Sequence, residues 1–305
     1  MVKLQNWVMQ IYPYRIPTLW SLLILILASV SFLQAGEVEA PEKLRYNSDT
    51  WHPAVDYLKS EKTRATDEQL EALEKLPLET VWGVIRGMGY TNTFYNGMQM
   101  TLPGKRLVGR AVTIRYLPRR PDLDKAMDAL ADGGGWNSRY HSRAAEDSKP
   151  GDVLVVDLGG KVEGGVFFGD ISALGAQMSG ARGAILWGST RDLDELKEMK
   201  EFPVFAEGFH PSGATQNGVD WNVPIRVGDA TVMPGDLVLA TDEAVLFFPA
   251  SIAGDVINKA NKHHDEENYK RKLVRSMKYR FGDVYPLRPD LKKEYEEMVA
   301  KKEGK

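Results

Sequence analysis

The chain has 305 residues, of which 43% are hydrophobic and 27% charged, a composition that suits a globular protein with a sizeable core. A net charge of −3 and a pI near 6.0 supply no basic field of the kind that neutralises phosphates, so nucleic acid is not an expected ligand. Cysteine is absent, which excludes disulfides, thiolate catalysis and cysteine-ligated zinc.

Residues 1–18 carry Lys3 and Arg15 and no acid, and an uncharged run follows from Leu19 to Leu33. That run has signal-peptide length and falls short of the ~20 apolar residues that a spanning helix needs. Ala35 and Ala40 offer small-residue cleavage sites. We therefore expect residues 1–40 to be a signal peptide and the protein to be periplasmic or secreted, with a retained N-terminal anchor as the alternative. Residues 41–74 read as a helical arm, in which Thr66 and Gln69 form a capping box ahead of Leu70, Leu73 and Leu76. A second helix is predicted from Leu78 to Met88, ended by Gly89, and a strand from Gly104 to Tyr116. A helix from Asp122 to Ala131, a Gly133-Gly134-Gly135 turn and a polar helix follow; Arg139 and Arg143 on the latter read as solvated surface.

The stretch Gly151–Gly213 predicts three apolar strands joined by a glycine-rich loop (Gly159, Gly160, Gly164, Gly165, Gly169) and two helices. Asp170 opens the first helix and Arg191-Asp192 the second, with a return strand over Ala184–Trp187 between them. Short strands at Val223–Val227, Thr231-Val232, Leu237–Leu239 and Ala244–Phe248 alternate with turn sequences, and a helix runs from Ser251 to about Lys262. Strands alternate with helices early and pair through tight turns late, which indicates an α/β fold with a mixed sheet. Residues 261–305 read as a charged helical extension; His263-His264 lacks further ligands at fixed spacing, so a metal role is not expected there.

Twenty residues separate Asp170 from Arg191, enough for one helix and one return strand, which brings both positions to one sheet edge. Carboxylates there suit Mg²⁺ or Mn²⁺, free N–H groups of the glycine loop and helix start suit a substrate carboxylate, and a guanidinium suits the same anion or a developing enolate. The competing reading is structural, because acids in the first turn of a helix cap its free amides and favour its dipole without any catalytic role. Lys161 in the glycine loop offers a Schiff-base alternative. No dinucleotide fingerprint, P-loop or G-x-S-x-G elbow is present.

Gly151-Asp152-Val153-Leu154-Val155-Val156-Asp157, the Gly169-Asp170 loop end, Asp170-x20-Arg191-Asp192 with Glu195, and Gly208-Phe209-His210-Pro211 together resemble the RraA-like family. That family contains metal-dependent 4-hydroxy-4-methyl-2-oxoglutarate aldolases and the RraA inhibitors of ribonuclease E. Gly109-Arg110-Ala111-Val112-Thr113, Pro234-Gly235-Asp236-Leu237 and Val245–Pro249 extend the likeness to residues 75–260. The resemblance implies a single swivelling-type mixed-sheet β/α sandwich with helical N- and C-terminal extensions, assembled as a homotrimer or hexamer. It implies Asp192 on Mg²⁺ or Mn²⁺, Arg191 on a 2-oxo acid and its enolate, and Asp170 positioning a metal-linked water. Main-chain amides from Phe168 through Gly169 and Asp170 to Ile171 would hold the substrate carboxylate. The implied reaction is retro-aldol cleavage of a 4-hydroxy-2-oxo acid with oxaloacetate decarboxylation beside it; the alternative is a non-enzymatic ring protein that regulates a partner. The chain departs from the family pattern at Thr80–Val84, at Ile171 and at Thr241.

Overall fold

The computed structural model describes residues 63–131, 135–302 and 304, and all of them belong to one compact unit. The apolar run at 19–33 and both cleavage positions lie outside the described residues. Among those that are described, no helix is long and apolar enough to cross a membrane.

In chain order the elements are α1 (Asp67–Glu74), α2 (Leu78–Gly87), β1 (Phe94–Tyr95), β2 (Gln99–Met100), β3 (Leu107–Pro118), α3 (Pro121–Leu130), α4 (Trp136–Glu146), β4 (Asp152–Asp157), α5 (Asp170–Met178), β5 (Ala181–Thr190), α6 (Leu193–Glu198) and β6 (Val204–Phe209). β7 (Gln216–Trp221), β8 (Ile225–Val227), β9 (Ala230–Val232), β10 (Leu237–Ala240) and β11 (Val245–Phe248) follow, then a 3-10 turn, α7 (Ala253–Arg275), α8 (Phe281–Val284) and α9 (Pro289–Lys302).

One mixed sheet runs in the order β1-β11-β10-β3-β4-β5-β6-β2. Its centre, β3-β4-β5-β6, is parallel, and the flanking pairs are antiparallel. β3 is long enough to change neighbours along its length: opposite β4 it pairs with β10 over Leu107–Arg110 and with β7 over Ile114–Pro118. β4 is buried on both faces, as a central parallel strand must be. Leu154 and Val156 point into a core with Tyr140, Phe167, Phe168 and Phe202, while Val153 and Val155 point into a second core with Ile185, Phe205 and Phe247. A third cluster joins α1, α2 and α7 to β10 and β11 through Leu70, Leu73, Ile85, Leu239, Phe248 and Val256.

The Thr66–Gln69 capping box forms as the sequence predicts, with the Gln69 amide donating to the Thr66 hydroxyl at 3.3 Å and the Thr66 amide donating to the Gln69 side chain at 2.9 Å. Arg110, almost fully buried, ties this helix to the sheet: it donates to the Ala65 carbonyl at 2.7 Å, to the Pro150 carbonyl at 3.2 Å and to the Asp67 carboxylate, which it holds below the usual carboxylate range. This arginine sits where β4 begins, at the opposite end of the strands from Arg191.

Three strands are absent from the sequence reading. β1 and β2 are two-residue edge pieces with no periodicity to detect. β7 reads QNGVDW, a turn-like composition, yet Gly218 is required inside it because the Tyr140 ring lies where a Cβ would stand, 1.8 Å away. The helix expected to stop near Lys262 continues to Arg275, so the expected boundary at residue 261 falls inside one continuous helix. Its buried positions, Val256 and Ala260 and then Tyr269 and Leu273, are separated by a polar stretch that breaks the apolar pattern. β5 also runs longer than expected, from Ala181 to Thr190, which delivers Arg191 directly from the strand end.

Candidate active site

The parallel strands β4, β5 and β6 all end at one edge of the sheet, where open α/β proteins place ligands. The glycine loop after β4 is laid along the end of β5. Phe167 donates to the Ser189 carbonyl at 3.0 Å, Ser189 donates to the Gly165 carbonyl at 2.8 Å, and Val166 bridges to Ser189 in parallel register. The buried Thr190 hydroxyl donates to the Phe168 carbonyl at 2.9 Å, and the Arg191 amide donates to the same carbonyl at 3.3 Å. Four hydrogen bonds therefore fix the loop end carrying Gly169-Asp170 beside the strand end carrying Arg191-Asp192.

Neither acid caps its own helix. Gly169 occupies the N-cap of α5, and Asp192, at the N-cap of α6, makes no side-chain capping bond. Asp192 has the left-handed backbone conformation, with φ 58°, and its carboxylate turns across to α5, where Oδ2 accepts from the Asp170 amide at 3.3 Å. Arg191 Nε lies 3.5 Å from the same oxygen. Among the described residues no hydrogen bond reaches Asp192 Oδ1, the Asp170 carboxylate or the outer nitrogens of Arg191. Asp192 thus binds a first-turn amide of the neighbouring helix α5 and the Arg191 guanidinium through one oxygen, and the capping reading accounts for the first of these contacts but not the second.

Gly169 makes this arrangement possible. A Cβ there would stand 1.9 Å from Asp192 Oδ2 and 3.0 Å from Arg191 Nε, so only glycine admits the two side chains. The Phe168 side chain is core, and the Ile171 side chain is 80% exposed on the outer face of α5. Whatever either contributes to a ligand is confined to main chain; at a helix start the Ile171 and Ser172 amides have no intrahelical partner.

Two histidines stand at this edge: His210, from the Gly208–Pro211 motif, and His141, to which the sequence reading gave no role. His141, on α4, places Nε2 3.0 Å from the Ser172 hydroxyl in the first turn of α5, with its ring edge against Phe167. Burial, and then the positive charge of Arg191, push its pKa below the usual histidine value, so the ring is neutral at pH 7. His210 follows β6; its amide donates to the Thr190 carbonyl at 2.9 Å and the Ser212 amide donates to its Nδ1 at 3.2 Å. The only sequence signal for His141 is its place in the polar helix before β4. Lys161 is exposed and so lacks the desolvation that activates a Schiff-base lysine. His263 faces Glu267 at 3.8 Å on α7, and no group of three metal-ligating side chains occurs among the described residues. Arg143 is exposed, and the Arg139 side chain lies outside the described residues.

A divalent cation fits the acids that are present. Mg²⁺ commonly takes one or two carboxylates and fills its remaining positions with water and substrate oxygens. Asp192 offers an oriented carboxylate with a free Oδ1, and its second oxygen is already held by main chain and guanidinium.

Fold and site together define a mixed-sheet α/β protein with an acid–arginine–acid constellation at the carboxyl ends of its parallel strands. The chain belongs to the RraA-like family (Aldolase/RraA), whose family model matches residues 78–247. It is 27% identical over 158 residues to protein DlpA of Legionella pneumophila, a match covering 51% of this chain and 23% of that protein. It is 28% identical over 133 residues to a Halalkalibacterium halodurans protein named, provisionally, 4-hydroxy-4-methyl-2-oxoglutarate aldolase, covering 43% of this chain and 62% of the relative. The chain thus spans less than two thirds of the length of either relative. Among solved structures it is similar to Streptomyces coelicolor RraAS2, described as an unusual member of the RNase ES inhibitor RraA family, with a TM-score of 0.59 and 25% identity over 69% of this chain and 99% of that one.

Proposed function

We propose that the protein is a divalent-metal-dependent lyase that cleaves a 4-hydroxy-2-oxo acid to pyruvate and a carbonyl compound, with oxaloacetate decarboxylation as a second activity. The observation that carries this reading is the Asp192 carboxylate, turned away from its own helix and held by the Asp170 main-chain amide at the start of α5, beside the Arg191 guanidinium. Asp192 would hold Mg²⁺ or Mn²⁺, with Asp170 oriented toward the water around it. Bound there, the cation supplies Lewis-acid polarisation of the 2-oxo group.

The chain's own groups perform the rest. The free guanidinium face of Arg191 pairs with the 2-oxo acid as a planar fork and stabilises the oxygen on which charge develops. The unpaired amides at the start of α5 receive the substrate carboxylate. Cleavage moves the C3–C4 electron pair into the enolate while the C4 hydroxyl loses its proton, and C3 is then protonated to give pyruvate. His141, whose Nε2 stands 3.0 Å from the Ser172 hydroxyl in the first turn of α5, takes the hydroxyl proton in this scheme and can return it to C3.

A non-enzymatic reading rests on the likeness to RraAS2. The Asp192 carboxylate and the Arg191 guanidinium, held together at the start of α5, suit a cation and a 2-oxo acid, which supports the lyase. The test is a pyruvate-release screen across 2-oxo acids. Turnover that stops with EDTA and returns with Mg²⁺ supports the proposal, and no turnover with any 2-oxo acid in Mg²⁺ or Mn²⁺ supports the binding protein instead.

A further inference from the structure

Helices α7, α8 and α9 build a lobe around Tyr269, Leu273, Val284, Leu291 and Tyr295, beyond the stretch matched to the family. The turn joining α7 to α8 has an unusual outer surface. Residues 270–280 read KRKLVRSMKYR, six cations without an acid, in a chain whose net charge is −3. Lys270 and Arg271 pair one turn back, with Glu266 at 2.6 Å and Glu267 at 2.9 Å. Lys272, Arg275, Lys278 and Arg280 are exposed and have no acidic partner among the described residues.

Between these cations stand apolar side chains that the lobe leaves uncovered. Met277 is 87% exposed, Phe281 68% and Tyr285 60%. The Phe281 and Tyr285 rings stack with centroids 6.0 Å apart, and the Lys270 ammonium lies 5.6 Å from the centre of the Tyr285 ring, so the two rings and a cation form one continuous patch. Soluble surfaces seldom keep large apolar side chains at such exposure in one short stretch.

We propose that this tip, from Lys272 to Tyr285, docks the protein on an anionic lipid surface. Met277, Phe281 and Tyr285 enter the boundary between headgroups and acyl chains, and Lys272, Arg275, Lys278 and Arg280 meet the lipid phosphates. The arrangement matches the polarity gradient of a bilayer surface, in which apolar and aromatic groups sit below a layer of cations. Three large apolar side chains flanked by four cations, with no acid between residues 270 and 280, suit a surface that is anionic at the headgroups and apolar beneath them. The proposal is independent of the lyase reading.

Because the chain has no cysteine, Met277→Cys in the full chain accepts a single environment-sensitive dye that reports this position even if residues 19–33 also bind lipid. The dye is expected to shift to the blue on phosphatidylcholine vesicles containing phosphatidylglycerol and to stay water-like on pure phosphatidylcholine. The same dye at Glu297→Cys should stay water-like on both. Adding Lys272→Glu, Arg275→Glu, Lys278→Glu and Arg280→Glu should weaken the shift by at least about 1,000-fold in lipid concentration, with the cooperative melt retained to show that the variant folds. A dye that stays in water on anionic vesicles overturns the proposal. So does an equal shift on neutral vesicles, a charge-reversed variant that shifts at the same lipid concentration as Met277→Cys alone, or a response only to RNA or to an acidic protein.

Discussion

Gly169 and Asp192 compete for the same space, and the outcome decides what the site can do. With a hydrogen at position 169 the Asp192 carboxylate reaches the Asp170 amide; with a methyl group, 1.9 Å from Oδ2, it must swing away. Gly169→Ala is therefore expected to leave the melting temperature nearly unchanged, because the backbone there has φ −118°, open to any residue, while pyruvate release falls by about 100-fold or more. His141 makes a separate claim. A base that must be neutral gives activity that rises with pH through its pKa and then levels off, and burial together with Arg191 places that rise below the usual histidine value. His141→Gln should lower the plateau by about 10²-fold or more and remove the acidic limb from the kcat profile; an unchanged limb assigns the proton elsewhere. The acids and Arg191 were legible in the sequence because their spacing equals one helix and one return strand. His141 was not, because its approach to Ser172 depends on how α4 packs against α5, which no local pattern encodes.

At the scale of elements, helices whose start carries a side-chain signal were readable, and elements held by their neighbours were not. The Thr66–Gln69 box marks α1 in the sequence and closes as two hydrogen bonds in the fold. Thr66→Ala removes one of them and should cost about 1 kcal/mol in urea unfolding, with lyase activity untouched because α1 lies with Arg110 at the far end of the strands. β7 shows the opposite case: a sequence that reads as a turn is held as a strand by pairing to β3 and by the Gln216 amide, which donates to the Leu158 carbonyl at 2.9 Å. The continuation of α7 past Lys262 is of the same kind, since Tyr269 and Leu273 are buried only by α8 and α9.

For the whole molecule, the fold separates its tasks. The parallel centre of the sheet presents the charged constellation at one edge, Arg110 and α1 fasten the other, and the C-terminal lobe carries the basic and aromatic tip. The α/β class and mixed sheet followed from strand and turn patterns, while the order of the sheet, set by contacts far apart in sequence, did not. The central claim is that Asp192 holds the cation that drives cleavage. Pyruvate release from a 4-hydroxy-2-oxo acid in Mg²⁺, measured for the unaltered chain and for Asp192→Asn, tests it most directly. The asparagine keeps the shape and removes the charge, so activity is expected to fall by at least about 100-fold with the fold intact; an Asp192→Asn protein that releases pyruvate at the unaltered rate contradicts the account.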